Sequence, residues 1–595
     1  MGKEPVTLGD KPSKRTAERF DFLSELPENS LDILLKEASR QTLKSGEVLF
    51  KQNDEADVMC IVMSGALGVF VNQNQTLDKR LNSNKRLVAL VGKGEVIGEV
   101  AIVAGGVRSA DVIALRDTNL LRITREQFDN LLENHPEIAI PLTKTLAMRL
   151  RNATESAAVN IRPKVVTFIG GSENVDVLEI AQKVRECIQL TYDQSIYVQA
   201  TKTEDLNSKN LNDLESTHDL VILCASTHDK DWMVCCARQS DRLCLIVDSL
   251  SEISPELSQE FLKIAHDHQM VDLFILHRNK EVCPRLTQDT LSKIKVNRHF
   301  HIRTTEQADW HRWSRIVNGQ GIGLVLSGGG ARAYAHLGVI RALSEANIPI
   351  DFVAGSSMGG IIASSMAMGW DMDTIEDRIH KCFVTTNPLS DYTFPLQGLV
   401  RGRKVEEMLK NTFGNMQISD LWLPFFCVST NLTNAMGHIH DQGDLSEALR
   451  ASISLPGILP PVCKPEGLLV DGGVINNLPV IEISKNCHGP IIAVDISREL
   501  SLSPKVWKEQ VNQPLWRRML RPPVISLLLR SGTVSGEWQD KQQNDAAHVN
   551  LTPPLGEVDI RDWKIYEDTI ALGYNYTVEQ LKTNPKLAEL KADFT

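Results

Sequence analysis

Ile348-Pro349-Ile350-Asp351-Phe352-Val353 runs directly into Ala354-Gly355-Ser356-Ser357-Met358-Gly359, and the small-residue run Gly360 to Met368 follows. A strand-like stretch, a Gly-x-Ser-x-Gly turn centred on Ser357 and a run suited to a buried helix together describe a nucleophile elbow. Glycines flank such a turn because it leaves no room for side chains, and a helix start behind the serine favours developing negative charge. Taken alone, the pentapeptide equally describes a tight turn of small residues, so the neighbouring blocks decide.

Upstream, the apolar Leu324-Val325-Leu326 leads into Ser327-Gly328-Gly329-Gly330-Ala331-Arg332-Ala333 and the helix-like Tyr334 to Ala346. Three glycines at a helix start expose backbone N–H groups. Such a nest takes a phosphate or the oxyanion of acyl transfer, with Arg332 adding positive charge. Gly328, Gly330 and Ala333 also fit a dinucleotide fingerprint with Asp351 as its acid. Asp351, however, falls inside its strand-like run, and that run feeds the serine turn, which a dinucleotide site does not need. Gly328, Gly329, Gly330 and Arg332 are therefore read as a candidate oxyanion hole. Downstream, Leu468-Leu469-Val470 ends in Asp471-Gly472-Gly473, an acid between a short apolar strand and two flexible glycines, placed to face Ser357 from the same sheet edge. Between serine and acid lie the amphipathic Leu445 to Arg450 and the turn-rich Ala451-Ser452-Ile453-Ser454-Leu455-Pro456.

These four blocks, in this order, resemble the patatin-like phospholipase family over Gly321 to Ser497. Asp471-Gly472-Gly473-Val474-Ile475-Asn476-Asn477-Leu478-Pro479 and Leu399-Val400-Arg401-Gly402-Arg403 are similar to the versions in its neuropathy target esterase branch, while Ala333 stands where the family usually has glycine. The resemblance implies an α/β hydrolase domain over 321–595, with its motif core at 321–497. It also implies a Ser357–Asp471 dyad, an acyl-enzyme, no metal, no cofactor for catalysis, and a lysophospholipid or phospholipid substrate. No histidine follows Asp471 in a catalytic context, and His336, His380, His438 and His440 are read as packed or solvated. An aspartate of ordinary pKa, about 3.9, is a poor base, so burial is expected to raise that of Asp471.

A second signal lies near the N-terminus. Gly46 to Phe50, Val58 to Met63, Ala66 to Val71 and Leu87 to Val91 are short glycine-punctuated β runs at regular spacing, which predict a β-roll over 20–152. Ile97-Gly98-Glu99-Val100-Ala101-Ile102, a spacer and Arg108-Ser109-Ala110 resemble the phosphate-binding cassette of cyclic-nucleotide-binding domains. In that resemblance Arg108 pairs with the cyclic phosphate, Glu99 accepts from the ribose hydroxyl, and the N–H groups around Gly98, Ser109 and Ala110 complete the cradle, with cyclic AMP or cyclic GMP as effector. Val107 replaces a common proline and Asp111 a common threonine, so Asp111 places negative charge near the expected ligand. Arg125 to Asn152, interrupted at Pro136, supplies a lid.

From 162 to 305 the chain is least informative. Val165 to Ile169, Leu220 to Cys224 and Leu243 to Val247 alternate with helical patterns such as Val175 to Leu190, predicting an α/β region of unassigned function. Its Gly170-Gly171-Ser172 turn lacks the Gly-Lys-Ser/Thr ending of a P-loop. The expected whole is thus multidomain: a β-roll, a central α/β region and a patatin-like α/β hydrolase domain.

The 595 residues carry a net charge of -11, which argues against a nucleic acid partner, because a phosphate backbone demands a basic face. Eleven cysteines without paired metal spacing, and a start without signal-peptide character, are read as reduced thiols in a cytoplasm. Phe352 to Trp370 is uncharged but rich in Gly and Ser, so it is read as strand, elbow and buried helix rather than a membrane span. Lipid contact is then peripheral, with Tyr392, Phe394, Leu396 and Leu399 as a candidate apolar rim. The competing reading is a non-catalytic, cyclic-nucleotide-sensing scaffold; oligomeric state is left open.

Overall fold

The computed structural model describes residues 38–72, 85–154, 162–199, 211–251, 269–278, 284–497 and 543–592, apart from 173, 193, 212, 213, 216, 286, 387, 394–397, 557 and 561; it also describes 261, 512 and 514. Phe394 and Leu396 of the expected rim lie outside the described residues. The chain forms two compact units, one comprising residues up to 155, 161–277 and 290–299, the other 156–160, 278–289 and 300 onward.

The first unit opens with eight strands: β1 (Ser39–Leu43), β2 (Val48–Phe50), β3 (Val58–Ser64), β4 (Leu67–Asn72), β5 (Lys85–Val91), β6 (Val96–Ile97), β7 (Asp111–Ala114) and β8 (Thr118–Thr124). They form two four-stranded antiparallel sheets, ordered β1-β8-β3-β6 and β2-β7-β4-β5, which is a β-roll. Alternation along β3 explains its packing. Val58, Cys60 and Val62 fill the roll with Leu67 and Val112, while Met59 and Ile61 face Phe128 and Leu131 of the helix Arg125–Asn134. That helix begins with a capping box between Thr124 and Gln127.

Six further strands follow: β9 (Val165–Gly170), β10 (Ile196–Gln199), β11 (Leu220–Ser226), β12 (Arg242–Asp248), β13 (Met270–His277) and β14 (Arg298–Arg303). They lie in the order β10-β11-β9-β12-β13-β14. Pairings from β10 through β13 are parallel, and β9 and β12 are buried along their whole length, which is why these strands read as unbroken apolar runs. The Gly170-Gly171-Ser172 turn is closed on its neighbours: Gly171 N–H donates to the Ile246 carbonyl at 2.7 Å, and Ser172 Oγ accepts from Asp248 N–H at 3.2 Å. A buried charge cluster ties roll to sheet. Arg116, in the turn between β7 and β8, holds Glu215 through both terminal nitrogens and places Nε 3.1 Å from Asp241, whose other oxygen caps the N–H groups of Lys164 and Val165.

The second unit is built on an eight-stranded mixed sheet: β15 (Gly323–Leu326), β16 (Phe352–Ser356), β17 (Phe425–Asn431), β18 (Met436–His440), β19 (Val462–Lys464), β20 (Gly467–Asp471), β21 (Ile491–Val494) and β22 (Val549–Leu551). The path is β19-β20-β17-β16-β15-β21-β22, with β18 also on β17. The registers on β17 place the site. Val353–Ser356 of β16 pairs with Phe425–Val428, β20 pairs with Ser429–Asn431, and β18 pairs with Cys427–Asn431. A strand has two edges, so β16 and β20 must share one, and they abut end to end between Val428 and Ser429. Ser356 lies opposite Val428 and Asp471 opposite Ser429. The end of the serine strand and the end of the acid strand are thereby brought to consecutive steps of one edge.

Below this junction, Asp351 is fully buried and takes a bidentate ion pair from Arg315, at 2.8 and 2.6 Å, plus the N–H of Ile322. It precedes β16 rather than lying within a strand, because its carboxylate and backbone are both used to anchor the start of β15. On the outer layer, the helices Tyr334–Glu345 and Tyr566–Thr583 cross closely through Gly338 and Gly573. A Cβ on Gly338 would come within 2.0 Å of the Ile570 carbonyl, and one on Gly573 within 2.1 Å of the Ala335 carbonyl.

Candidate active site

Ser357 is the first residue after β16 and starts the helix Ser357–Ala367 with φ of 51°, a left-handed conformation rare for serine. The elbow admits no side chain beside it, since a Cβ on Gly359 would lie 2.3 Å from the Leu326 carbonyl. Ser357 Oγ donates to Asp471 Oδ2 at 2.8 Å, and Asp471 Oδ1 accepts from Gly473 N–H, also at 2.8 Å. Asp471 is 3 % exposed. Burial outweighs these two hydrogen bonds and pushes its carboxyl up to about 6, the direction expected from the sequence.

The segment between the two blocks holds both groups, a role its sequence did not disclose. Ser452 Oγ accepts from Ser357 N–H at 2.9 Å and donates to the Val428 carbonyl at 2.6 Å, and the Ser454 carbonyl accepts from Asp471 N–H at 3.0 Å. Both serines are fully buried. A buried hydroxyl needs a partner, so the polar residues of Ala451-Ser452-Ile453-Ser454 carried the available signal.

Two residues of the glycine loop depart from expectation. Arg332 is buried, and its guanidinium donates to the carbonyls of Ile496, Val558 and Gly556, at 2.9, 3.0 and 3.4 Å, so its donors are spent pinning the loop to later parts of the chain. Gly328 N–H is likewise engaged, donating to Asn477 Oδ1 at 3.0 Å. The loop is further held by Ala331 N–H on the Ile560 carbonyl, at 2.8 Å. Gly329 and Gly330 complete the turn at the head of the helix Tyr334–Glu345, Gly330 with φ of 57°.

The histidines have other tasks. His336 Nε2 meets the Ser327 carbonyl at 2.9 Å, with burial pulling the ring down to about 4, so it is a neutral donor under the loop. His440, pulled down to about 3 by burial, bonds Ser429 on β17 at 2.7 Å; His438 stacks edge-on against it, and His380 against Tyr566.

In the β-roll, Gly98, Glu99 and Arg108 come together. Glu99 is fully buried and starts the short helix Glu99–Ala104, with Gly98 left-handed at its N-cap. Arg108 lies 3.7 Å over the Phe50 ring and donates to the carbonyls of Gly98 (3.2 Å) and Val58 (2.6 Å). Ser109 is exposed and Ala110 buried. Asp111 is buried and accepts from Gln52 N–H at 2.7 Å, so its carboxylate is bound to the turn that follows β2. A cavity of about 440 Å³ next to Arg108 is lined also by Arg40, Phe50, Asp54, Asp57 and Arg122.

An α/β sheet with a serine on a strained elbow, bonded to a buried aspartate on the abutting strand, has the architecture of a serine hydrolase. Comparison gives the kind. The sequence matches the patatin-like phospholipase family over 324–483, the cyclic nucleotide-binding domain over 40–135 and the neuropathy target esterase family P-loop like domain over 165–321. Along the chain these matches run from the cyclic nucleotide-binding domain through the P-loop like domain to the patatin-like phospholipase domain. It is 26 % identical to a protein named lysophospholipase nte1 from Aspergillus niger and 25 % identical to that of Neurospora crassa, covering 92 and 91 % of this chain and 42 % of each relative. The chain thus spans about two fifths of the length of these curated relatives. Among solved structures, the catabolite activator protein of Thermus thermophilus is 25 % identical over 29 % of this chain and 71 % of its own, with a TM-score of 0.20. Among the described residues no helix is long and apolar enough to cross a membrane, and no cluster of three or more His, Cys, Asp or Glu is arranged to hold a metal ion.

Proposed function

We propose that the second unit hydrolyses fatty-acyl esters of lysophospholipids or phospholipids through Ser357 and Asp471, and that a cyclic nucleotide bound to the roll controls it. The 2.8 Å bond between Ser357 Oγ and Asp471 Oδ2 carries this reading. Asp471 takes the hydroxyl proton as Ser357 Oγ attacks the ester carbonyl, and the oxyanion is met by N–H groups of the glycine loop, with Gly329 and Gly330 as the remaining donors once Gly328 is engaged. The proton passes from Asp471 to the departing alkoxide as the acyl C–O bond breaks, leaving the acyl group on Ser357. Water then repeats the sequence, giving up its proton to Asp471 and releasing the fatty acid. The lysophospholipase names of the relatives favour a single-chain phospholipid as substrate. Contact with the membrane surface is peripheral in this reading, and the protein is placed in the cytoplasm.

Ser357→Ala and Asp471→Asn are each expected to abolish fatty-acid release from lysophospholipid while the protein stays folded. Ser356→Ala should do far less, because Ser356 lies within β16, fully buried. Labelling by a fluorophosphonate should be confined to Ser357. Folded Ser357→Ala protein with full activity would sink the dyad, and wild-type protein that neither hydrolyses ester nor takes label would leave the scaffold reading standing. The dyad needs no metal, so a chelator should not change the rate; loss on chelation with recovery on adding a divalent ion would sink the assignment.

A further inference from the structure

We propose that Asn477 is a positioning residue that sets the orientation of the peptide between Gly328 and Gly329, and so aims the Gly329 N–H at the oxyanion; this rests on Ser357 being the nucleophile. Glycine's backbone has little intrinsic preference, so three in succession cannot fix their own peptide planes. In this loop the planes are fixed from outside. His336 Nε2 holds the Ser327 carbonyl at 2.9 Å, and because C=O and N–H point in opposite directions across a trans peptide, the Gly328 N–H is turned away from His336. It meets Asn477 Oδ1 at 3.0 Å. The same side chain returns a bond, Nδ2 donating to the Gly328 carbonyl at 3.2 Å. With that carbonyl held by Asn477, the next N–H, of Gly329, faces the opposite way.

The position of Gly328 makes this orientation consequential. A Cβ on Gly328 would meet Asn477 Oδ1 at 2.7 Å and Ser357 Cβ at 2.9 Å, so the amide and the nucleophile both lie close against Gly328. Asn477 belongs to the same turn as Asp471: a Cβ on Gly473, the residue whose N–H bonds Asp471, would lie 3.0 Å from Asn477 Oδ1. One amide therefore locks the acid's turn to the glycine loop. Were the 328–329 peptide to flip, a carbonyl oxygen would replace an N–H on the side facing the developing negative charge.

Asn477→Asp tests this with the smallest change in shape. It keeps an acceptor for the Gly328 N–H but replaces the donor to the Gly328 carbonyl with a carboxylate oxygen that repels it. Both Asn477→Asp and Asn477→Ala are expected to lower kcat for a lysophospholipid about a hundredfold, the scale of one lost oxyanion donor, with KM changed less than threefold and a matching fall in the rate of fluorophosphonate labelling. The acid limb of the pH profile should stay where it is in wild type for Asn477→Ala, because Asp471 keeps both its bonds, whereas the added carboxylate of Asn477→Asp should move it to higher pH. Rates are referred to the folded fraction measured by circular dichroism. An unchanged kcat, a loss confined to KM, or Asn477→Asp protein that does not fold would overturn the positioning role. Failure of the reading it rests on is distinguishable, since that would show as activity retained in Ser357→Ala or as wild-type protein with neither activity nor label.

Discussion

The proposed dyad asks Asp471 to be both buried and basic, and the two demands have measurable consequences. Its carboxyl is pushed up to about 6 by burial, so the base is protonated on the acid side and kcat/KM should climb about tenfold per pH unit up to about pH 6, then level off. A limb centred near pH 4 would show that burial does not tune the base. The same shift affects stability in the opposite sense. The unfolded chain releases this proton near the ordinary value of 3.8, so between that pH and about 6 the native state holds more protons, and stability falls as pH rises through the window, by about 3 kcal/mol in all. Asp471→Asn lacks that term and should melt above wild type at pH 8, with the gap closing toward pH 4; a constant gap across that range would count against it. Ser357 and Asp471 were legible in the sequence because a nucleophile elbow and an acid after a strand are local patterns. Ser452 and Asn477 were not, because a hydrogen bond from a side chain to a distant backbone leaves no local pattern.

Among the elements, the helices Tyr334–Glu345 and Tyr566–Thr583 approach closely where Gly338 and Gly573 let one backbone reach the other. Gly338→Ala would force them apart and should cost about 1 to 3 kcal/mol, read as a lowered melting temperature. Activity should fall with it. The second helix begins six residues after Ile560, and the carbonyls of Gly556, Val558 and Ile560 hold Arg332 and Ala331 of the glycine loop. A variant that melts lower yet keeps full kcat would show that the loop does not depend on this crossing. Existence and type of strand were readable where apolar runs are continuous, as in β9, β12 and β15. The run from Ile348 was read too long, because Asp351 looks like part of a strand until its pairing with Arg315 is seen.

For the whole molecule, the three-domain order was evident from spaced motifs, but the abutment of β16 and β20 on one edge of β17 was not, since register between remote strands is not written in either. The roll offers the test of regulation. Arg108 is the residue that would meet a cyclic phosphate, and its loss should weaken binding about ten- to a hundredfold, equivalent to 1.5 to 3 kcal/mol. Arg108→Ala should leave hydrolysis without nucleotide unchanged, since Ser357 and Asp471 belong to the other unit. Calorimetric titration with cyclic AMP and cyclic GMP decides: no heat from either at millimolar concentration would mean that the guanidinium serves only Gly98, Val58 and Phe50. The carbonyl of Ile560 on Ala331 N–H bears on how the protein is made. A ribosome that has finished the strand ending at Asp471 has already supplied serine and acid, yet the residues that steady the glycine loop are still to be translated. Nascent chains arrested before Gly556 should therefore be poor esterases even though serine and acid are in place, and competence should appear only once that stretch has been made.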